Sequence, residues 1–145
     1  MFEIGAQTTK ELVKMSRVNF SLADNSKVTI GNNLFFGSGN VTVTENSSLK
    51  IGNDCMFSYD LTFRVGDGHT IINTNTQEVI PNTGNVCIGD RVWIGTQSTI
   101  LKNAQIANDT IIGACSVVTK KFDAQNVAIA GNPAKIVKEN VAWKK

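Results

Sequence analysis

Histidine is nearly missing from this chain: among 145 residues there is one, His69. A zinc site of three imidazoles therefore cannot form within one chain. Any step that passes a proton through an imidazole must use that residue. Proline is scarce too, with two residues, and tyrosine occurs once. No apolar run approaches the ~20 residues that span a bilayer, so no membrane insertion is expected. The start lacks the basic-then-apolar order of a secretory signal. Charge is low, 18% of residues with a net +2, too weak a footprint to imply nucleic acid. The three cysteines, Cys55, Cys87 and Cys115, are odd in number and form no C-x-x-C pair. They read as free thiols in a reducing compartment, not as a disulfide frame. Leucine is rare as well, 6 residues against 14 Ile, 14 Val, 14 Thr, 16 Asn and 12 Gly. β-Branched residues favour strands, and Asn and Gly supply tight corners. The chain has the length of a single domain, taken here as 1–145.

What is present is a repeat. From Ile88 an apolar β-branched residue recurs at every sixth position: Ile88, Ile94, Ile100, Ile106, Ile112, Val118. Four residues after each of the first five stands a slim one: Val92, Ser98, Ala104, Thr110, Ser116. A period of six suits neither a helix nor a long alternating strand. It suits short flat strands joined by turns, wound into coils that stack at the spacing of neighbouring strands. The large residue points inward and the slim one fits near the corner. Each hexad buries one large side chain, so several coils must stack for stability. Upstream, Ile30 and Phe36 fit one register, and Ile51, Phe57 and Phe63 another. Extra residues around Val41–Thr44 imply a longer side or a bulge between them. The last position of each hexad should face outward. There Met56, Trp93, Ile111 and Val117 would make an apolar column and imply a buried interface, unless they lie on their own coil.

The expected solenoid runs over about 18–122. The period breaks between Phe63 and Ile88, and a polar stretch at about 69–81 should protrude as a loop. The opening Met1–Gly5 reads as part of an earlier hexad, with room for a segment before it. Thr8–Val13 offers a short helix start or an irregular cap. Residues at about 123–145 form the closing cap, where Asn132-Pro133 carries a helix-start signature. A short C-terminal helix there, with Ile136, Val137 and Val141 on its apolar side, would hide the open strand edges. Residues 120–145 hold six Lys against two acids, a net +4, so the remainder is −2.

Four stretches carry a family resemblance: Asp67-Gly68-His69-Thr70-Ile71, Ile88-Gly89-Asp90-Arg91-Val92-Trp93-Ile94-Gly95, Ile112 through Lys120, and Ala130-Gly131-Asn132-Pro133-Ala134-Lys135. The chain resembles the hexapeptide-repeat acyltransferases, and within them the sugar and capsular polysaccharide O-acetyltransferases. The resemblance implies an all-β fold, a left-handed parallel β-helix of about five coils. Crossover rules alone would have given the right hand. It further implies acetyl-CoA as co-substrate, no metal, a saccharide acceptor, cytoplasmic residence, and a homotrimer with sites between subunits.

By that resemblance His69 is the general base that takes the acceptor hydroxyl's proton. Asp67 either orients the imidazole or forms the turn with Gly66 and Gly68. Trp93 matches an aromatic near the site, where an indole face stacks on a sugar or on pantetheine; interface packing is its other role. Thr96, Ala114, Thr119 and Lys120 match positions along the pantetheine groove. Lys120, Lys135 and Lys138 match positions that meet the nucleotide end, where a lysine acts as a point charge. Transfer is expected to be direct, in a ternary complex. N-acetylation of a nucleotide-linked amino sugar and a non-catalytic scaffold are the alternative readings. The zinc hydratase on this solenoid needs more histidines than the chain has.

Overall fold

The computed structural model describes residues 1–4 and 13–145. The helix start expected at Thr8–Val13 lies, but for Val13, outside the described residues. Among the described residues every regular element is a strand. The chain winds as β1 (Phe2–Ile4) and β2 (Lys14–Leu22), then β3 (Lys27–Ile30) and β4 (Phe35–Val43), then β5 (Ser48–Ile51), β6 (Met56–Phe57) and β7 (Leu61–Val65). A small hairpin, β8 (Ile71–Ile72) and β9 (Val79–Ile80), interrupts the winding. It resumes with β10 (Asn85–Ile88), β11 (Trp93–Ile94) and β12 (Thr99–Leu101), then β13 (Gln105–Ile106), β14 (Ile111–Ile112) and β15 (Val117–Val118). The end is β16 (Lys121–Phe122), β17 (Val127–Gly131) and β18 (Ala134–Glu139).

Pairing between successive coils is parallel and makes three faces. The first holds β1, β3, β5, β10, β13 and β16. The second holds the start of β4, then β6, β11, β14 and β17. The third holds β2, the end of β4, β7, β12 and β15. β4 runs through the corner between the second and third faces without a break, which is the longer side expected near Val41–Thr44. Elsewhere the corners turn on residues with positive φ, such as Asn33, Asp54 and Asp109 at one corner and Asn25, Asn46 and Asn103 at another. Asn and Asp tolerate this left-handed conformation at little cost, which explains the wealth of Asn.

The interior is the hexad series. Ile88, Ile94, Ile100, Ile112 and Val118 are at most 1% exposed, and Val92, Ser98, Ala104, Thr110 and Ser116 are 0% exposed. Buried Ser and Thr hydroxyls donate to nearby carbonyls, as Ser98 Oγ does to Gly113 O at 3.0 Å and Ser116 Oγ to Gly113 O at 2.6 Å; this removes the cost of burying them. Phe36, Phe57 and Phe63 form the widest layer, with ring centroids 5.4–5.9 Å apart. Cys55 lies in the same wall, and burial pushes its thiol up from 9.0 to about 11.

Two expectations are corrected. Val117 does not continue the outward column of Met56, Trp93 and Ile111. It stands on the third face beside Thr99, because three hexads make one coil and only every third hexad shares a face. The second face instead aligns Phe35, Met56, Trp93, Ile111 and Ala128. The C-terminal helix is absent too. After a cis Asn132–Pro133 peptide, β18 returns antiparallel along β17. The open edge of β17 offers a full row of backbone partners, and the β-branched pair Ile136-Val137 suits a strand better than a helix. The edge is covered as expected, by a strand.

Candidate active site

The site begins where the wall opens. At the corner between the third and first faces the other coils turn within a few residues. After β7 the chain leaves instead as an arm, from Gly66 to Gly84, with β8 and β9 along it. The tip is tied by Asn73, whose Oδ1 accepts from the backbone of Asn75 at 2.9 Å and of Thr76 at 3.2 Å. Four β-branched residues of the arm, Ile71, Ile72, Val79 and Ile80, are 41–63% exposed, so the arm holds no core of its own. His69 sits on the outgoing limb of the arm, two residues before β8, exposed.

Beside the arm's foot runs a groove of about 330 Å³ lined by Arg64, Gly66, Asp67, Leu101, Lys102 and Thr119. Gly66 has φ of +110°, and a Cβ there would meet Thr44 Oγ1 at 1.8 Å, so only glycine lets the chain leave the wall here. Asp67 stands in the groove, and its carboxylate accepts from Lys102 Nζ, the two side chains being 26% and 24% exposed. Arg64 reaches over the foot: a Cβ on Gly68 would lie 3.0 Å from its Nη2. Lys120 stands beside Thr119, with its Nζ 5.4 Å from the Phe122 ring centre.

The remaining expected residues lie elsewhere. Thr96 and Ala114 occupy the corner between the second and third faces, where Thr96 Oγ1 donates to Tyr59 O at 2.8 Å. The coils close up at this corner, and a Cβ on Gly95 would stand 2.6 Å from Ala114 N. Trp93 is on the second face, 37% exposed. Lys135 and Lys138 are on β18, opposite Ala130 and Ala128. One chain thus gathers Asp67, His69, Thr119 and Lys120 at one corner. It presents Trp93, Thr96, Ala114, Lys135 and Lys138 at another corner and face.

Sequence reasoning missed three contributors. Lys102 and Arg64 follow their inward residues by two and one positions, so stacking the coils in register would have put them beside the arm. Trp143 belongs to the chain's final stretch, which runs back down the first corner. There Val141 N donates to Asn126 O at 3.0 Å, Trp143 Nε1 to Arg91 O at 2.8 Å and Lys145 Nζ to Asn33 O at 3.1 Å. This puts the Trp143 ring 6.3 Å from that of Trp93. On the same corner Arg91 grips Asp109 with two hydrogen bonds of 2.7 and 3.0 Å, which hold the Asp109 carboxyl below its ordinary range.

Comparison with known proteins agrees with this architecture. Residues 85–120 match the bacterial transferase hexapeptide (six repeats) family. The chain is 37% identical over 118 residues to a polysialic acid O-acetyltransferase of Escherichia coli O1:K1, covering 81% of this chain and 38% of the relative. It is 40% identical over 123 residues to a polysialic acid O-acetyltransferase of Neisseria meningitidis, covering 85% of this chain and 54% of the relative. The chain therefore spans less than two thirds of the length of either. Among solved structures, the polySia-specific acetyltransferase NeuO superposes with a TM-score of 0.75 at 28% identity, over 92% of this chain and 66% of that one. The fold is the left-handed parallel β-helix of these proteins.

Proposed function

This chain is a hexapeptide-repeat protein related to the polysialic acid O-acetyltransferases, and from that premise we propose that it moves acetyl from acetyl-CoA to a hydroxyl of a saccharide, in surface polysaccharide biosynthesis in the cytoplasm. The observation that carries the reading is the placement of the single histidine. His69 stands exposed on the arm that leaves the wall, two residues beyond Asp67, which lines a groove with two cations, Arg64 and Lys102. A neutral imidazole near its pKa is suited to remove the hydroxyl proton as oxygen attacks the thioester carbonyl. The proton passes to His69 and then to the departing thiolate of coenzyme A, so no covalent acyl-enzyme is needed. Cys55 offers no competing nucleophile, since burial keeps its thiol protonated at neutral pH.

Donor and acceptor need more surface than the corner of His69 provides. The second group, with Trp93, Thr96 and Ala114, offers backbone that a pantetheine arm can approach past small side chains, and an indole for stacking. Lys120, Lys135 and Lys138 supply charge for the nucleotide phosphates. The two groups lie at different corners, so a complete site joins the arm of one copy to the wall of the next. A homotrimer with three such junctions satisfies this, and the exposed Ile71, Ile72, Val79 and Ile80 and the half-buried second-face column are the surfaces it would cover.

The test is ligand-dependent melting followed by turnover. Acetyl-CoA should raise the melting temperature with the logarithm of its concentration, less so in Lys120→Ala. With polysialic acid or a galactoside as acceptor, coenzyme A release should cease in His69→Ala. Absence of any shift at millimolar acetyl-CoA would favour a scaffold role and overturn the reading.

A further inference from the structure

Nothing in the acetyl-transfer chemistry calls for Lys102, yet it is placed with care. It follows β12, one coil above the point where the arm departs. Its Nζ donates to the Asp67 carboxylate on the outgoing limb and to Pro81 O, at 3.2 Å, on the returning one. One ammonium with three donors can bridge both limbs of a neck at once. The neck is closed further by Asp67 N donating to Asn82 O at 2.9 Å, and by Gly84 N donating to the buried Ser47 Oγ at 2.9 Å. Gly84 makes room for the lysine stem, since a Cβ there would stand 2.8 Å from Lys102 Cβ. The pair is about three-quarters buried, so it is screened less than a surface pair. His69 lies two residues beyond Asp67, and among the described residues no hydrogen bond holds its ring. Its place is therefore set by the backbone of the neck.

We propose that Lys102, acting through Asp67 and Pro81, is the positioning residue that fixes the reach of the arm and hence of the His69 imidazole. Asp67 then serves catalysis by holding the neck to the wall, with its carboxylate committed to Lys102 and not to the imidazole. The proposal rests on His69 being the base.

Three variants test it together: Lys102→Met, Lys102→Arg and His69→Ala. Acetyl-transfer kinetics are read beside amide hydrogen exchange at Asp67. Lys102→Met should lower kcat by roughly ten- to a hundredfold, the scale of a misplaced reacting group, with KM for acetyl-CoA within twofold. Exchange at the Asp67 amide should quicken while the melting temperature and exchange in β10–β12 stay as in the wild type. Lys102→Arg, which keeps a cation of sufficient reach, should recover most of kcat. If His69→Ala is inactive while Lys102→Met keeps wild-type kcat and slow exchange, the positioning role is overturned. A raised KM with intact kcat also overturns it, since Lys102 would then be holding the donor. If His69→Ala keeps kcat within about tenfold of the wild type, the reading of the base has failed, and the positioning of that base falls with it.

Discussion

The coil wall and the arm obey different physics. In the wall, residues 85–122 repeat one unit, and every inward position is set by the need to fill a narrow prism at native density. Its large side chains are nearly all hidden, and its hydroxyls are satisfied from within. The arm, 66–84, buries almost nothing, and it carries the only histidine. Its shape depends on a few polar ties at neck and tip. If His69 is the base, as proposed, stability and chemistry are separated here: substitutions at inward positions of the wall should be felt as stability, and substitutions on the arm as rate.

The largest effect expected is on the arm. His69→Ala should lower kcat by about 10²–10⁴-fold, the range for a lost general base, with the melting temperature unchanged. A drop in melting would break the contrast, because the arm would then be part of the core. Next comes the wall. Phe57, 0% exposed between Phe36 and Phe63, should cost about 3–5 kcal/mol on truncation to Ala, read by chemical denaturation. The remaining protein should still bind acetyl-CoA at temperatures where it is folded.

A smaller effect is alkaline. The Cys55 thiol is raised from 9.0 to about 11, so the unfolded chain loses its proton first. The stabilisation is complete below pH 9.0 and is lost as pH climbs through about 11, amounting to about 3 kcal/mol. Cys55→Ala should flatten that part of the stability–pH curve. A thiol reagent at neutral pH should spare Cys55 and modify the exposed Cys115. The smallest effect is acidic. Asp109 is held below its ordinary 3.8 by Arg91, so its contribution is present above that value and fades as pH falls through the lowered one. Because the pair is exposed, Arg91→Ala should move the melting temperature at neutral pH by about 1–2 °C and reduce the acid sensitivity.

The same division decides what could be read from sequence. Ile88 to Val118 announce the wall because one packing demand recurs six residues apart. The pattern does not reveal which face a hexad belongs to, which is why Val117 was expected beside Trp93. It is equally blind to partners that stacking supplies. Asn132-Pro133 resembles a helix start until β17 offers an open edge, and Lys102 looks like a solvated corner residue until the arm's foot is set beside it. His69 stands out by scarcity and by its place in the insertion, while its role comes from the family resemblance. Asp67 was expected either to orient the imidazole or to form the turn with Gly66 and Gly68; the partner that stacking brings to its carboxylate is Lys102. Thr96 and Ala114 are legible as small corner residues, but nothing local ties them to the arm.

The claim that one copy's arm completes another copy's wall is tested most directly by mixing two inactive subunits. His69→Ala keeps the wall and loses the base; Ala114→Trp keeps the base and blocks the wall beside Thr96. Each alone should show no acetyl transfer. After co-refolding, mixed oligomers should regain a substantial fraction of wild-type turnover, since some junctions pair an intact arm with an intact wall. Mixed oligomers, verified by mass, that remain inactive would contradict the shared site and return the whole reaction to a single chain.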